Sequence, residues 1–500
     1  MQAGFQQQQP LSEKEWQLLP VLMAGRLMQS TLIGTYTISR EPSNAAYVMP
    51  DERERWRCLN LLLGCPPHEM AAKLRAAAEA SMQQAAGSAA AGDGDDTQSD
   101  DVMVQQQQGP LVPTKMRRSL PFKLPPFKLE LYLARYEHLP LQLSRSSCQP
   151  VGLQALLAMA DGDLQQQWQQ LTLGYPPNVG SLRLRQEVAL LYPGTRPDHV
   201  LCCVPNEGIF VAMAALLSPG DVVVAMHPAY QSLLEVARSM GATVKLWSME
   251  FEKATGQPFF SLAALRKLMT ADVKCLLINL PHNPSGWLPS RQQWGDIVDC
   301  ARQVNAWLFS DELYRLLEQQ PEQQRLQPAV CAYPARGISL GGLSKAFGLQ
   351  GLRSGWLVCQ DTAFLQQAEC VKSYITTTGP IMSELLAVVA LRNQQQLVGR
   401  CVGVIRDNLA AAAHFFDRWP RVFQWTPPTA GSLCLPRLVT GEPIDAFCAR
   451  AAAGCGVVLL PGTVYDHAAA AAGQHFRLGL GRTNFEEALH ALEQWLQSQQ

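Results

Sequence analysis

Between residues 200 and 360 the sequence alternates between two periods, and this alternation restricts the fold more than any other feature. Short continuous apolar runs occupy 200–204, 222–226, 244–247, 275–280, 307–310 and 338–340. Among them lie stretches whose apolar residues recur at helical spacing. One covers 207–217 and stops at Ser218-Pro219-Gly220, one covers 230–240 and ends at Gly241, and one is capped by Ser290 and runs to about 304. A strand that is apolar at every position is covered on both faces, and alternating helices supply the cover. The expected class is therefore α/β, three layers built on a mostly parallel sheet. Ligands of such sheets sit outside the carboxyl ends of the strands, so the residues after each apolar run are the candidates for chemistry.

Composition sets the bounds around this centre. A chain of 500 residues with 47% hydrophobic content can bury a large core, spread over roughly two to four domains. A formal net charge of −1 argues against a protein held to nucleic acid by electrostatics. No apolar run reaches the roughly 20 residues of a membrane-spanning helix. Met1-Gln2-Ala3-Gly4-Phe5, followed by glutamines, lacks the basic-then-apolar order of a signal peptide. The 14 cysteines are scattered and form no C-x-x-C pair, which fits reduced thiols in a cytoplasmic protein without a metal site.

Ahead of the globular region, Ser12-Glu13-Lys14-Glu15 is a capping-box pattern, followed by a helical repeat through Trp16, Leu19, Leu22, Met23 and Leu27. Residues 1–70 are expected to form a helical extension. With Arg40-Glu41-Pro42-Ser43-Asn44, Trp56 and 59–63, roughly the first 65 residues resemble the C-terminal tail of aminoglycoside-phosphotransferase-like kinases. That stretch holds no kinase catalytic motif, so no kinase activity is expected. Residues 71–113 are rich in Ala, Gln and Asp and cannot bury enough apolar surface to fix one conformation, which predicts a partly disordered linker.

Five strand-end motifs carry the chemistry. Pro205-Asn206-Glu207-Gly208 opens a helix, where backbone amides can hold an anion. His227-Pro228-Ala229-Tyr230 places an aromatic ring at the next strand end. Asn279 to Gly286 contains His282-Asn283-Pro284-Ser285-Gly286, a turn that either points Asn283 inward or is a plain turn. Ser310-Asp311-Glu312-Leu313-Tyr314 puts a carboxylate after an apolar run, where it needs a cation or serves as a helix cap. Gly341-Gly342-Leu343-Ser344-Lys345-Ala346-Phe347-Gly348 sets one lysine among small residues, with Arg353 eight positions on. A lysine there makes sense where its amine is consumed in a bond to an aldehyde. Far downstream, His475-Phe476-Arg477-Leu478-Gly479-Leu480-Gly481-Arg482 buries an arginine fork suited to a carboxylate.

In this order and spacing the set, over about 114–500, resembles the fold-type I, pyridoxal-phosphate-dependent aminotransferases of class I/II. The resemblance implies a large cofactor-binding domain near 165–392 and a smaller α+β domain from 114–164 plus 393–500. It implies that Lys345 forms an aldimine with pyridoxal 5′-phosphate and moves the proton, and that Asp311 holds the pyridine nitrogen protonated. Asn283 and Tyr314 would bind the ring oxygen, and Tyr230 would stack on the ring. The amides of Glu207 and Gly208, with Ser344 and Arg353, would hold the phosphate. Arg477 would clamp the substrate carboxylate, with Asn283 beside it, and Tyr175 would reach the partner's cofactor in a homodimer. Gly342 and Asn206 depart from the family, which often has a phosphate-binding serine and a small residue there. The expected reaction moves an amino group from an amino acid to a 2-oxo acid. The alternatives are a lyase or cyclase, because the texture is nearest to a branch that includes enzymes similar to capreomycidine synthase, and a non-catalytic cofactor-binding protein.

Overall fold

The computed structural model describes residues 124–465 and 474–499, so the readings of 1–70 and 71–113 lie outside the described residues. Its centre is an eight-stranded sheet. In chain order the strands are β1 (Val200–Cys203), β2 (Val222–His227), β3 (Thr243–Phe251), β4 (Pro258–Phe260), β5 (Val273–Asn279), β6 (Trp307–Asp311), β7 (Gly337–Gly342) and β8 (Gly355–Cys359). They lie side by side as β1-β8-β7-β6-β5-β2-β3-β4. Neighbours from β7 through β3 are parallel, while β8 and β4 run against the strands beside them. All six expected apolar runs are strands. The two additional strands escaped the alternation rule because no α-helix directly precedes them. β8 follows the Lys345 loop directly and returns antiparallel along β7, with Gly342 opposite Gly355.

Side chains of successive strand residues point to opposite faces. Val223, Ala225, Leu277 and Phe309 accordingly join one core layer, with Ile209 and Met213 of helix α1 (Pro205–Leu216) and Leu233 of helix α2 (Gln231–Ser239). Val224, Met226, Ile278 and Leu308 join the opposite layer, with Trp294 and Ile297 of helix α3 (Arg291–Gln303). The α3 start is the capping box its sequence announces. The Ser290 hydroxyl accepts from the Gln293 amide at 3.2 Å, and the Gln293 side chain accepts from the Ser290 amide at 2.8 Å.

A smaller α+β portion follows. Strand β9 (Phe423–Gln424) pairs with β11 (Arg437–Leu438), and β13 (Phe476–Gly479) lies between β10 (Leu433–Cys434) and β12 (Leu460–Pro461). Phe423 anchors it, with its ring against Phe416, Phe447 and Phe476. No described helix is long and apolar enough to cross a membrane.

One irregular segment, 143–151, ties the two portions together as a strap. The Gly479 amide donates to the Leu143 carbonyl at 2.6 Å, the Gln149 amide to the Gly481 carbonyl at 2.7 Å, and the Val151 amide to the Gly348 carbonyl at 3.1 Å. The strap is thus bonded both to the neighbourhood of β13 and to the loop after β7.

Candidate active site

The carboxyl ends of β5, β6 and β7 open on a cavity of about 240 Å³. Asn283, Asp311, Tyr314, Ser344, Lys345, Arg353, Tyr230 and Arg477 all line it. The loops bring them together for local reasons. Asn279 ends β5, and its side chain accepts from the Asn283 amide at 2.7 Å while donating to the Asp311 carbonyl at 2.9 Å. One amide therefore fixes the turn of Asn283 to the end of β6. Gly286, at φ 70°, lets that turn pass under the smaller portion, because a Cβ there would lie 2.4 Å from the Leu433 carbonyl oxygen.

Asp311 is 4% exposed, and its carboxylate accepts from the Leu313 amide at 3.2 Å. Burial outweighs that bond and pushes the carboxyl up to about 7. The Lys345 ammonium donates to the Ser146 hydroxyl at 2.8 Å. Burial first, and then the charge of Arg477, bring the Lys345 amine down to about 8. Acid and amine thus both titrate within reach of neutral pH, as proton-transfer groups need to. Tyr314 is buried beside Arg477, and burial raises its phenol above the ordinary value.

Arg477 is 1% exposed. One of its terminal nitrogens donates to the Tyr465 hydroxyl at 2.6 Å and the Asn283 Oδ1 at 3.2 Å, and the other donates to the Ser144 carbonyl at 2.6 Å. Its Nε is buried without a hydrogen-bond partner among the described residues, a donor left for something else. Arg353 sits in the left-handed region at φ 51° and donates to the carbonyl of Gln350 at 3.0 Å.

A family model for class I and II aminotransferases matches residues 150–492. The chain belongs to that family. It is 28% identical to capreomycidine synthase of Streptomyces vinaceus over 330 residues, which cover 64% of this chain and 80% of that enzyme. Among solved structures, a PLP-dependent aminotransferase from Streptococcus suis superposes with a TM-score of 0.69 at 26% identity, covering 75% of this chain and 98% of that one. The PLP-dependent cyclase OrfR gives 0.68 at 25% identity, covering 76% and 100%.

The cofactor of this aminotransferase is pyridoxal 5′-phosphate, and the cavity fits it. A buried carboxylate pushed up by desolvation suits a pyridinium, a depressed lysine amine suits an aldehyde, and Arg353 beside a helix start suits a phosphate.

Three expected residues, Glu207, Gly208 and Tyr175, do not line this cavity, and of these Gly208 alone loses its expected role. Gly208 cannot offer its amide, which donates to the Val204 carbonyl at 2.8 Å inside α1. It is glycine for packing, because a Cβ would come within 2.7 Å of Leu340 and 2.9 Å of the Cys203 sulfur. Glu207 turns its side chain back to the Val204 amide at 3.0 Å and to the Thr376 hydroxyl. Pro205 has no amide hydrogen, so the open donors at this helix start are the amides of Asn206 and Glu207. Tyr175 is 93% exposed and does not line the cavity.

The structure also places in the cavity residues to which the motifs gave no role. Asn206 lines the cavity, with its Oδ1 fixed by the Ser232 hydroxyl at 2.7 Å. The strap contributes Arg145, Ser146 and Ser147. Arg145 is half-buried and stands close enough to Arg482 for the two charges to repel, which with burial lowers the Arg482 guanidinium. The signal for the strap lay in Gly479 and Gly481. A Cβ on Gly479 would sit 1.8 Å from the Arg145 carbonyl oxygen, and one on Gly481 2.7 Å from Cys148 Cα.

Proposed function

We propose that this cavity transfers the amino group of an amino acid to a 2-oxo acid, with Lys345 as both attachment point and proton carrier. The observation that carries the reading is the convergence of Lys345, Asp311, Asn283, Tyr314, Arg353 and Arg477 on one cavity. When bound, pyridoxal phosphate supplies an aldehyde for the amine and a ring that accepts the electron pair of the substrate Cα–H bond. The chain supplies the rest. Asp311 would keep the ring nitrogen protonated, and Asn283 and Tyr314 would donate to the ring oxygen. Tyr230, backed by Phe127 at 5.2 Å between ring centroids, would lie against the ring. Arg353, Ser344 and the amides of Asn206 and Glu207 would hold the phosphate. Arg477 would take the substrate α-carboxylate and so aim the Cα–H bond at Lys345 Nζ, the base that would remove the proton.

The test is the absorbance of the cofactor-loaded protein titrated with single amino acids. Transamination predicts a visible band that collapses to the pyridoxamine form with at least one donor. A second reading, a cyclase or lyase that starts with the same proton abstraction, is favoured by the similarity to capreomycidine synthase and to the cyclase OrfR. It predicts that the visible band recovers while a cyclic product or ammonia is released.

We further infer a homodimer. Leu173, Tyr175, Tyr374 and Ile375 are exposed apolar residues on two loops joined by the Asn178–Ser373 side-chain hydrogen bond at 2.8 Å. Tyr175, useless to its own cavity, would serve the partner's. Sedimentation of Tyr175→Asp as a monomer would support this. The described cysteines are all unpaired thiols, which suits a cytoplasmic enzyme.

A further inference from the structure

We propose that the Tyr465 hydroxyl is a positioning group for the amino-transfer site, locking Asn283 with its oxygen toward Arg477 and its NH₂ toward the cavity. This rests on the residue roles proposed above and adds a residue that they do not include.

The argument is one of donors and acceptors. A guanidinium has only donors, so whatever it touches must accept. Arg477 Nη1 reaches both the Tyr465 oxygen, at 2.6 Å, and the Asn283 Oδ1, at 3.2 Å. The tyrosine oxygen is therefore already an acceptor, and its single hydrogen is free to go to Asn283 Oδ1, 2.9 Å away. Every proton in the triangle is then assigned. The amide orientation of Asn283, ordinarily ambiguous, is dictated by chemistry because only its oxygen can face two donors. The Nδ2 hydrogens must point the other way. Asn283 lines the cavity together with Tyr314 and Lys345, so its Nδ2 is the donor left for a ring oxygen there.

The anchoring is rigid. Tyr465 is 7% exposed and Arg477 1%, and the second terminal nitrogen of Arg477 is held by the Ser144 carbonyl at 2.6 Å. Tyr465 packs with Leu129, Leu133 and Leu460 in a small apolar cluster, so the phenol has little room to swing. Without the hydroxyl, Asn283 Oδ1 keeps only the longer bond to Arg477, and the amide is freer to rotate its donor away from the cavity.

The consequence can be read without knowing the substrate. The visible band of bound pyridoxal phosphate titrates as the conjugated nitrogen–oxygen system loses one proton. That loss leaves negative charge on the ring oxygen, so a fixed N–H donor there lowers the midpoint. Tyr465→Phe is expected to raise the midpoint by about half a unit to one unit, as the weakening of one such hydrogen bond does. In an Asn283→Ala background the same change is expected to add only about 0.2 unit, because the hydroxyl acts through Asn283. Asn283→Ser takes the place of Asn283→Ala should the latter fail to fold. A merely structural role would lower the melting temperature of Tyr465→Phe and leave the midpoint alone. An unmoved midpoint, or equal shifts in both backgrounds, overturns the proposal. Absence of any visible band in the unaltered protein overturns the residue roles above and this proposal with them.

Discussion

The loops after β5, β6 and β7 and the strap at 143–151 meet at the same lysine, yet they are built on different principles. Each loop is an extension of a strand whose position the sheet already fixes. Asn283, Asp311 and Lys345 therefore need only short chemistry-bearing motifs at predictable places. The strap has no repeating structure to place it. It is held by three backbone bonds, to Gly479, Gly481 and Gly348, and by serines that accept from Lys345 and Arg482 at 2.8 and 3.1 Å. One region is specified by its own sequence. The other is specified by what it touches.

The sharpest way to break this comparison is at the point where both regions meet. Lys345→Ala should lower turnover by about 10⁴-fold or more, since it removes both the attachment point and the proton carrier. Steady-state rates with any donor that the unaltered protein accepts would show it. A variant that kept turnover would mean that the strand-end loops do not carry the chemistry at all.

That asymmetry explains what was legible in the sequence. The parallel strands were legible because each is a continuous apolar run, and the site residues after them because strand ends are where ligands bind. β8 was not, because its meaning depends on pairing with β7, far more than on its own pattern. Gly208 was misread for a similar reason. A glycine near a helix start signals close approach to something, and only the packing shows that Leu340 and Cys203 are what it approaches. Tyr465 was passed over because a tyrosine five residues past Leu460, which pairs β12 with β13, has no motif, and its hydroxyl gains a role only beside Arg477.

The strap can be moved without touching any site side chain. Gly479→Ala would drive a methyl group into the Arg145 carbonyl, 1.8 Å from the ideal Cβ position. Because the clash is with backbone, the strap must shift, and Ser146 shifts with it. A loss of about 10²-fold in kcat/KM is expected from such misplacement. Circular dichroism of the same preparation should show the fold retained. If activity survived, the strap would be a cover and no part of the positioning.

A finer change separates the chemistry of the loops from selectivity supplied by the strap. Arg145 adds a third guanidinium to the cavity wall, besides Arg353 and the proposed carboxylate clamp Arg477. Arg145→Gln should cost donors with an acidic side chain about 10- to 100-fold in kcat/KM, the loss of one charge-assisted pair. Neutral donors should change by only about threefold. Aspartate, glutamate, leucine and phenylalanine, compared as single-turnover donors, would give the ratio. Equal losses across the four would return selectivity to the strand-end loops.

The smallest effect concerns stability and tests whether Asp311 is built for a cation. Burial raises its carboxyl from 3.8 to about 7 in the cofactor-free protein. Between those values the folded chain holds a proton that the unfolded chain has released. By linkage, this group's contribution to stability is therefore unchanged below about pH 4 and declines as pH rises toward 7. Asp311→Asn cannot ionise and removes that decline. The cofactor-free variant should melt a few degrees above the unaltered protein at pH 8, with the gap narrowing toward pH 5. Saturating pyridoxal phosphate should reverse the order, since the ring's protonated nitrogen gives the carboxylate the partner that burial denies it. Melting curves at four pH values, with and without cofactor, would show the crossing. Parallel curves for the two proteins would mean that the carboxylate at the end of β6 is a structural cap, and that the most legible motif in the chain had been read for the wrong reason.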